Sequence, residues 1–184
     1  MTTKDTARVI LTTKCPRNCP YCVNKYAGLL EQAKPFRFMH DMVQAAADYE
    51  TICLTGGEPM VVCPEHTVAF ANVLKAVYPN KKVYCYVSGW RRWDDMAELI
   101  KNTDGIHYTM HASAMMEDLG KFYVFQDMAR LYPGKSFRLY IHPLILLDLT
   151  IVHGVWTRVE LKKWLEPSEC KLPANEDLFI WRSQ

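Results

Sequence analysis

The sequence predicts an α/β fold in which βα units build a parallel sheet. Two observations carry that expectation. Short β-rich runs alternate with segments of helical period along most of the 184 residues. The chemically distinctive residues fall, one group after another, just beyond the C-terminal ends of those runs. Right-handed crossovers place all such loops on one edge of a parallel sheet, the edge at which α/β barrels hold their active sites.

The elements read as follows. ARVILTT (7–13) is a first strand, and Met39, Met42, Val43 and Ala46 keep the spacing of a helix face. TICLT (51–55) is a second strand ending in two glycines. Phe70, Val73, Leu74 and Val77 mark a helix begun by Pro64 and stopped by Pro79. KVYCYVS (82–88) is a third strand, and Trp93, Met96, Ala97 and Ile100 form the next helix, closed by a turn from Asn102 to Gly105. GIHYTMH (105–111) is a fourth strand, after which Ser113 is placed to cap a long helix ending at Pro133-Gly134. SFRLYIH (136–142) is a fifth. TRVELKKWLE (157–166) reads as a helix capped by Thr157, and DLFIWR (177–182) as a short sixth strand. The expectation is one domain over 1–184, with core βα units at about 7–142 and a C-terminal helix and strand within 143–184.

Apolar residues make up 49% of the chain and charged residues 23%, an ordinary balance for a globular protein. A net charge of +2 implies no polyanionic partner, so nucleic-acid binding is not expected. The N-terminus lacks the apolar core of a signal peptide, and Asp148 and Thr150 break the longest apolar run well short of a membrane span. Seven cysteines, three of them crowded together, suit reduced thiols in the cytoplasm better than a disulfide framework.

The crowded three are Cys15, Cys19 and Cys22, in CPRNCPYC. One short loop can bring three such sulfurs around a metal centre. Zinc in a structural site needs a fourth ligand, for which Cys63 and His66 are the available donors. A [4Fe–4S] cube held by three cysteines keeps its fourth iron free for a small molecule. Cys53 and Cys85 lie within apolar strands and read as core; Cys63 and Cys170 are isolated. The second distinctive stretch is LTGGEPM (54–60). Gly56 and Gly57 let backbone approach a ligand closely, Glu58 offers an acceptor for an ammonium group, and Pro59 stiffens the turn.

CPRNCPYC after the first strand and TGGEP after the second together resemble the radical S-adenosylmethionine (radical SAM) superfamily. Its CxxxCxxC signature matches at Cys15, Cys19 and Cys22, with Tyr21 in the aromatic place before the last cysteine. Its GGE motif matches at Gly56, Gly57 and Glu58, and the resemblance spans about residues 7–142. The resemblance implies a partial (βα) barrel of about five to six parallel strands. It implies that the cysteines hold a [4Fe–4S] cluster whose open iron is chelated by the amino and carboxylate groups of SAM. Gly56–Glu58 would receive the SAM amino group, and Tyr21 would line the adenine side. Reduction of the cluster, by an external donor of flavodoxin or ferredoxin type, would cleave SAM to methionine and a 5′-deoxyadenosyl radical that abstracts a hydrogen atom.

In such proteins polar residues beyond the third to fifth strands contact SAM. Ser88, His111 and His142 occupy those places here. No residue acting on the substrate itself can be named. Arg91-Arg92 is a candidate for an anionic substrate or a solvated pair, and Trp90, Trp93, Tyr108 and Tyr140 are candidates for a pocket wall or for core. Asn24, giving CxN after the last cysteine, is similar to proteins that install a glycyl radical on a partner enzyme, so the substrate is either a small molecule or a protein. A zinc-stabilised binding module without catalysis is the reading from another class.

Overall fold

The structure, a computed structural model, describes residues 4–164, 166 and 169–182. In chain order its elements are β1 (Thr6–Thr12), α1 (Ala27–Leu30), β2 (Lys34–Phe36), α2 (Met39–Ala45), β3 (Thr51–Gly56), α3 (Pro59–Val62), α4 (Pro64–Val77), β4 (Lys82–Val87), α5 (Trp93–Lys101), β5 (Gly105–Met110), α6 (Met116–Ala129), β6 (Ser136–Ile141), β7 (Arg158–Leu161) and β8 (Glu176–Trp181). Eight strands form one open, wholly parallel sheet in the order β2-β8-β1-β3-β4-β5-β6-β7. The sheet does not close on itself, so β2 and β7 are free edges.

Alternation along each strand sorts the two faces. Val9, Ile52, Leu54, Val83, Ile106 and Leu139 point to one side and are buried under Met42, Phe70, Leu74, Leu99, Phe122 and Phe125 of the helices. The other side carries Arg8, Cys53, Tyr86, His107 and Tyr140, a polar and aromatic face. β5 is buried on both sides, as expected of a strand at the middle of a parallel sheet. Among the described residues no helix is long and apolar enough to cross a membrane.

The first five expected strands and the helices between them stand where the sequence places them, but the C-terminal part differs. The helix expected over 157–166 is instead β7, paired with β6 from Arg138↔Arg158 to Ile141↔Leu161; Leu165 lies outside the described residues. Thr157 caps nothing. Its N–H donates to the Phe137 carbonyl at 2.8 Å and so begins the ladder. The strand expected over 177–182 does form, as β8 one residue earlier at Glu176–Trp181, and it inserts between β2 and β1. With β2 the sheet therefore has eight strands rather than five or six.

The expected cap of α6 also moves. Met115 is the cap residue, and its backbone N–H donates to Asp118 Oδ2 at 2.8 Å. Gln126, buried in α6, anchors the connection to β7. Its Oε1 accepts from Val152 N–H at 2.8 Å and from Trp156 Nε1 at 2.9 Å, and its Nε2 donates to the Thr150 carbonyl at 3.1 Å.

Candidate functional site

Two strand-end loops are stitched together by backbone. β1 shifts register against β3 between Ile10 and Thr12, which frees the Thr12 carbonyl to accept the Gly57 N–H at 2.6 Å. Two residues on, the Lys14 carbonyl accepts the Glu58 N–H at 3.0 Å. The glycines make this approach possible. A Cβ on Gly57 would lie 1.9 Å from the Lys14 oxygen, and Gly56, at φ 127°, would bring one to 2.3 Å from the Thr12 oxygen. The cysteine loop thus starts against the glycine loop.

Cys15, Cys19, Cys22, Tyr21, Gly56, Gly57, Glu58, Ser88 and His111 all line one cavity of about 170 Å3 at the C-terminal edge of the sheet. His142 does not. It is buried behind Tyr21, their rings stacked at 4.8 Å. All seven cysteines are free thiols. Burial pushes the Cys15 thiol up, Glu58, Cys22 and Cys19 act in the same direction, and the Arg17 backbone N–H, 3.4 Å from the sulfur, opposes them.

Glu58 is only 2% exposed. Its Oε2 accepts from the Ser88 N–H at 2.8 Å and from the Ser88 hydroxyl. Its Oε1 is buried with no hydrogen-bond partner. Burial pushes this carboxyl up to about 7, with the Ser88 bonds and Arg17 working against the shift. A buried, half-satisfied carboxylate is costly unless a donor from outside completes it.

Tyr21 sits in an aromatic assembly. Its ring stacks on His142, lies 5.6 Å from Trp164 and approaches His111 at 5.8 Å. Its hydroxyl is 3.1 Å from His111 Nδ1 and accepts the Ala112 N–H at 3.4 Å. Burial, with Arg17 and His142 nearby, holds the His111 imidazole down to about 4, so the ring that shares this hydrogen bond with Tyr21 is neutral.

Two members of the site went unread in the sequence. Arg17 lines the cavity, donating through Nε to the Ser88 hydroxyl at 3.2 Å and through Nη2 to the Ser88 carbonyl at 2.9 Å. Trp164 closes it from the C-terminal segment, stacked on His142 at 5.3 Å. Other candidates fall elsewhere. Arg91 and Arg92 are exposed, Arg92 lying 3.8 Å from Asp95. Trp90 and Tyr108 are core, Trp93 is exposed, and Tyr140 lies under Lys162.

Cys63 and His66 do not line the cavity; Cys63 caps α4 and His66 packs edge-on against Trp181. Among the described residues no three Cys, His, Asp or Glu side chains converge on a single-ion site. A cube carries its thiolates on separate irons and tolerates wider spacing. The donor set suits such a cluster: three unpaired thiols at one cavity, glycines that admit no Cβ, and an orphaned carboxylate oxygen beside them.

A model of the Radical SAM superfamily matches residues 9–134. The chain belongs to the radical SAM superfamily. No curated protein matches the sequence. Among solved structures it is similar to BtrN in complex with AdoMet and 2-DOIA, with a TM-score of 0.53 and 17% identity. That likeness covers 80% of this chain and 60% of BtrN, and it concerns the fold. The radical SAM core here is thus the open parallel sheet, with both family motifs on adjacent strand ends.

Proposed function

We propose that the chain is a radical SAM enzyme in which Cys15, Cys19 and Cys22 hold a [4Fe–4S] cluster and the neighbouring cavity binds SAM. The observation that carries this is the buried, unpartnered Glu58 Oε1 in the same cavity as three free thiols. When bound, the reduced cluster supplies one electron to the sulfonium of SAM, giving methionine and a 5′-deoxyadenosyl radical that takes a hydrogen atom from substrate. The protein's own part is positioning. Glu58 receives the SAM amino group on Oε1, held in place by both Ser88 bonds to Oε2. Gly56 and Gly57 bring backbone to the ligand without side chains in the way. Tyr21, fixed by His111 and backed by His142, presents its ring to the adenine side, and Trp164 excludes water from above.

Electrons come from an external donor of flavodoxin or ferredoxin type. Seven unpaired thiols support a reducing, cytoplasmic setting. The test is anaerobic: reconstitute the protein with iron and sulfide, add dithionite and SAM, and measure 5′-deoxyadenosine. A protein with a full complement of cluster that forms none would overturn the reading.

A further inference from the structure

Beside the first cavity, on the polar face of the sheet, lies a second of about 400 Å3. The two adjoin, with Val23, Thr55, Gly56, Tyr86 and Trp164 lining both. Its size suits a small molecule. Ile10 and Leu178 on adjacent strands give it an apolar floor, extended by Leu29, Leu30 and Leu172.

Its charged lining has one sign. Arg8, Lys162, Lys163 and Lys171 border it, and among the described residues no acidic side chain does. Arg8 is gripped by Glu176, its Nη2 donating to Oε1 at 3.0 Å and its Nε to Oε2, and its guanidinium lies 5.3 Å over the Tyr86 ring, so the unpaired charge of the lining comes from the lysines. Other cations of the fold differ in this: Lys75 pairs with Asp104 at 3.0 Å and Lys4 with Asp177 at 2.7 Å. Among the described residues Lys162, Lys163 and Lys171 have no acidic partner, and Lys162 lies instead 4.9 Å above the Tyr140 ring. His107, 4.4 Å from Tyr86, feels the same field. Burial first, then Arg138, Arg8 and Lys162, hold its imidazole down to about 4. Lys162, Lys163 and Lys171 stand exposed at the rim of this apolar pit, and their shared sign favours an anionic group there over a cationic one.

We propose that this second cavity binds the substrate, and that the substrate joins an apolar body to a carboxylate or phosphate head. The inference rests on the radical SAM reading, which makes the wall shared by the cavities the reactive side. With the head among the lysines, the apolar body lies over Ile10 and Leu178 and against Gly56 and Tyr86.

The test uses the reconstituted protein and calorimetric titration with three probes of one ring system: 1-naphthyl phosphate, 1-naphthoate and neutral 1-naphthol. Either or both anions should bind at least tenfold more tightly than 1-naphthol, and the stronger one identifies the head. The double variant Lys162→Gln/Lys171→Gln should lose most of that preference while keeping its affinity for 1-naphthol, and Lys162→Arg/Lys171→Arg should restore it. Equal affinity for 1-naphthol and both anions overturns the proposal, as does a Gln variant whose preference is undiminished. Formation of 5′-deoxyadenosine is assayed separately. Its absence from loaded protein overturns the radical SAM reading, whereas a missing charge preference overturns only the choice of substrate class.

Discussion

Arg17 and Asp118, 101 residues apart, are joined by two hydrogen bonds across the mouth of the site, Nη1 to Oδ2 at 3.1 Å and Nη2 to Oδ1. The pair ties the cysteine loop to the first turn of α6. Burial works against the Asp118 charge, but Arg17 and the Met115 N–H outweigh it and hold the carboxyl below its usual range. Asp118→Asn keeps the shape and removes the charge. It should lower stability by about 1–3 kcal/mol and reduce the iron and sulfide retained after reconstitution. Thermal unfolding with metal analysis checks both; an unchanged cluster yield would show that the loop needs no such tether.

Glu58 should leave a mark on the pH dependence of stability of the cluster-free protein. Its carboxyl titrates near 4.5 when unfolded and at about 7 in the fold. Between those values the folded state keeps a proton that the unfolded state has released. Stability from this group is therefore full below 4.5, falls as pH rises, and levels off above about 7, a loss of order 3 kcal/mol for complete burial. His107 and His111, both held down to about 4, act in the opposite sense. The comparison with Glu58→Gln isolates the effect: denaturant midpoints of the two proteins should diverge from pH 5 to 7.5. Parallel curves would mean that Glu58 ionises freely in the fold.

Two glycine substitutions should move stability in opposite directions. Gly57→Ala forces a Cβ into the Lys14 carbonyl and should cost on the order of 2–4 kcal/mol, along with cluster binding. Gly120 stands mid-way along α6 with nothing within 4 Å of an added Cβ. Gly120→Ala should stabilise by about 0.5–1 kcal/mol. Calorimetry of both decides whether close approach or chain entropy governs each position.

The cysteines should divide into two groups. Cys15→Ala, Cys19→Ala and Cys22→Ala should each abolish 5′-deoxyadenosine formation and cut iron content. Cys53, buried within β3, should cost only roughly 1–3 kcal/mol of stability when changed to Ala while cluster content holds. If all four variants lose iron alike, the ligand assignment fails.

The strands β1, β3, β4, β5 and β6 were legible because each is a short run rich in β-branched and aromatic residues closed by turn residues, alternating in β4 and β6 and buried throughout in β5. β7 was not. Leu161 and Trp164 keep helical spacing among good helix formers, and the alternation of Arg158, Val159, Glu160 and Leu161 fits a strand equally well; pairing with β6 decides it. β2 is three residues long and contains Pro35, which only an edge strand tolerates. In the site, motif spacing brought the cysteines and Gly56–Glu58 forward. Arg17 meets Asp118, and Trp164 meets Tyr21 and His142, across long stretches of chain, and nothing local to each residue reveals its partner.

The stitching of the Thr12 and Lys14 carbonyls to Gly57 and Glu58 has a consequence for protein engineering. The two loops are one module with a shared seam. A cysteine loop grafted alone onto another scaffold would arrive with its carbonyls facing solvent and nothing to set its entry angle. Transplanting it with the glycine turn, across both parent strands and the register shift between Ile10 and Thr12, would carry the seam intact.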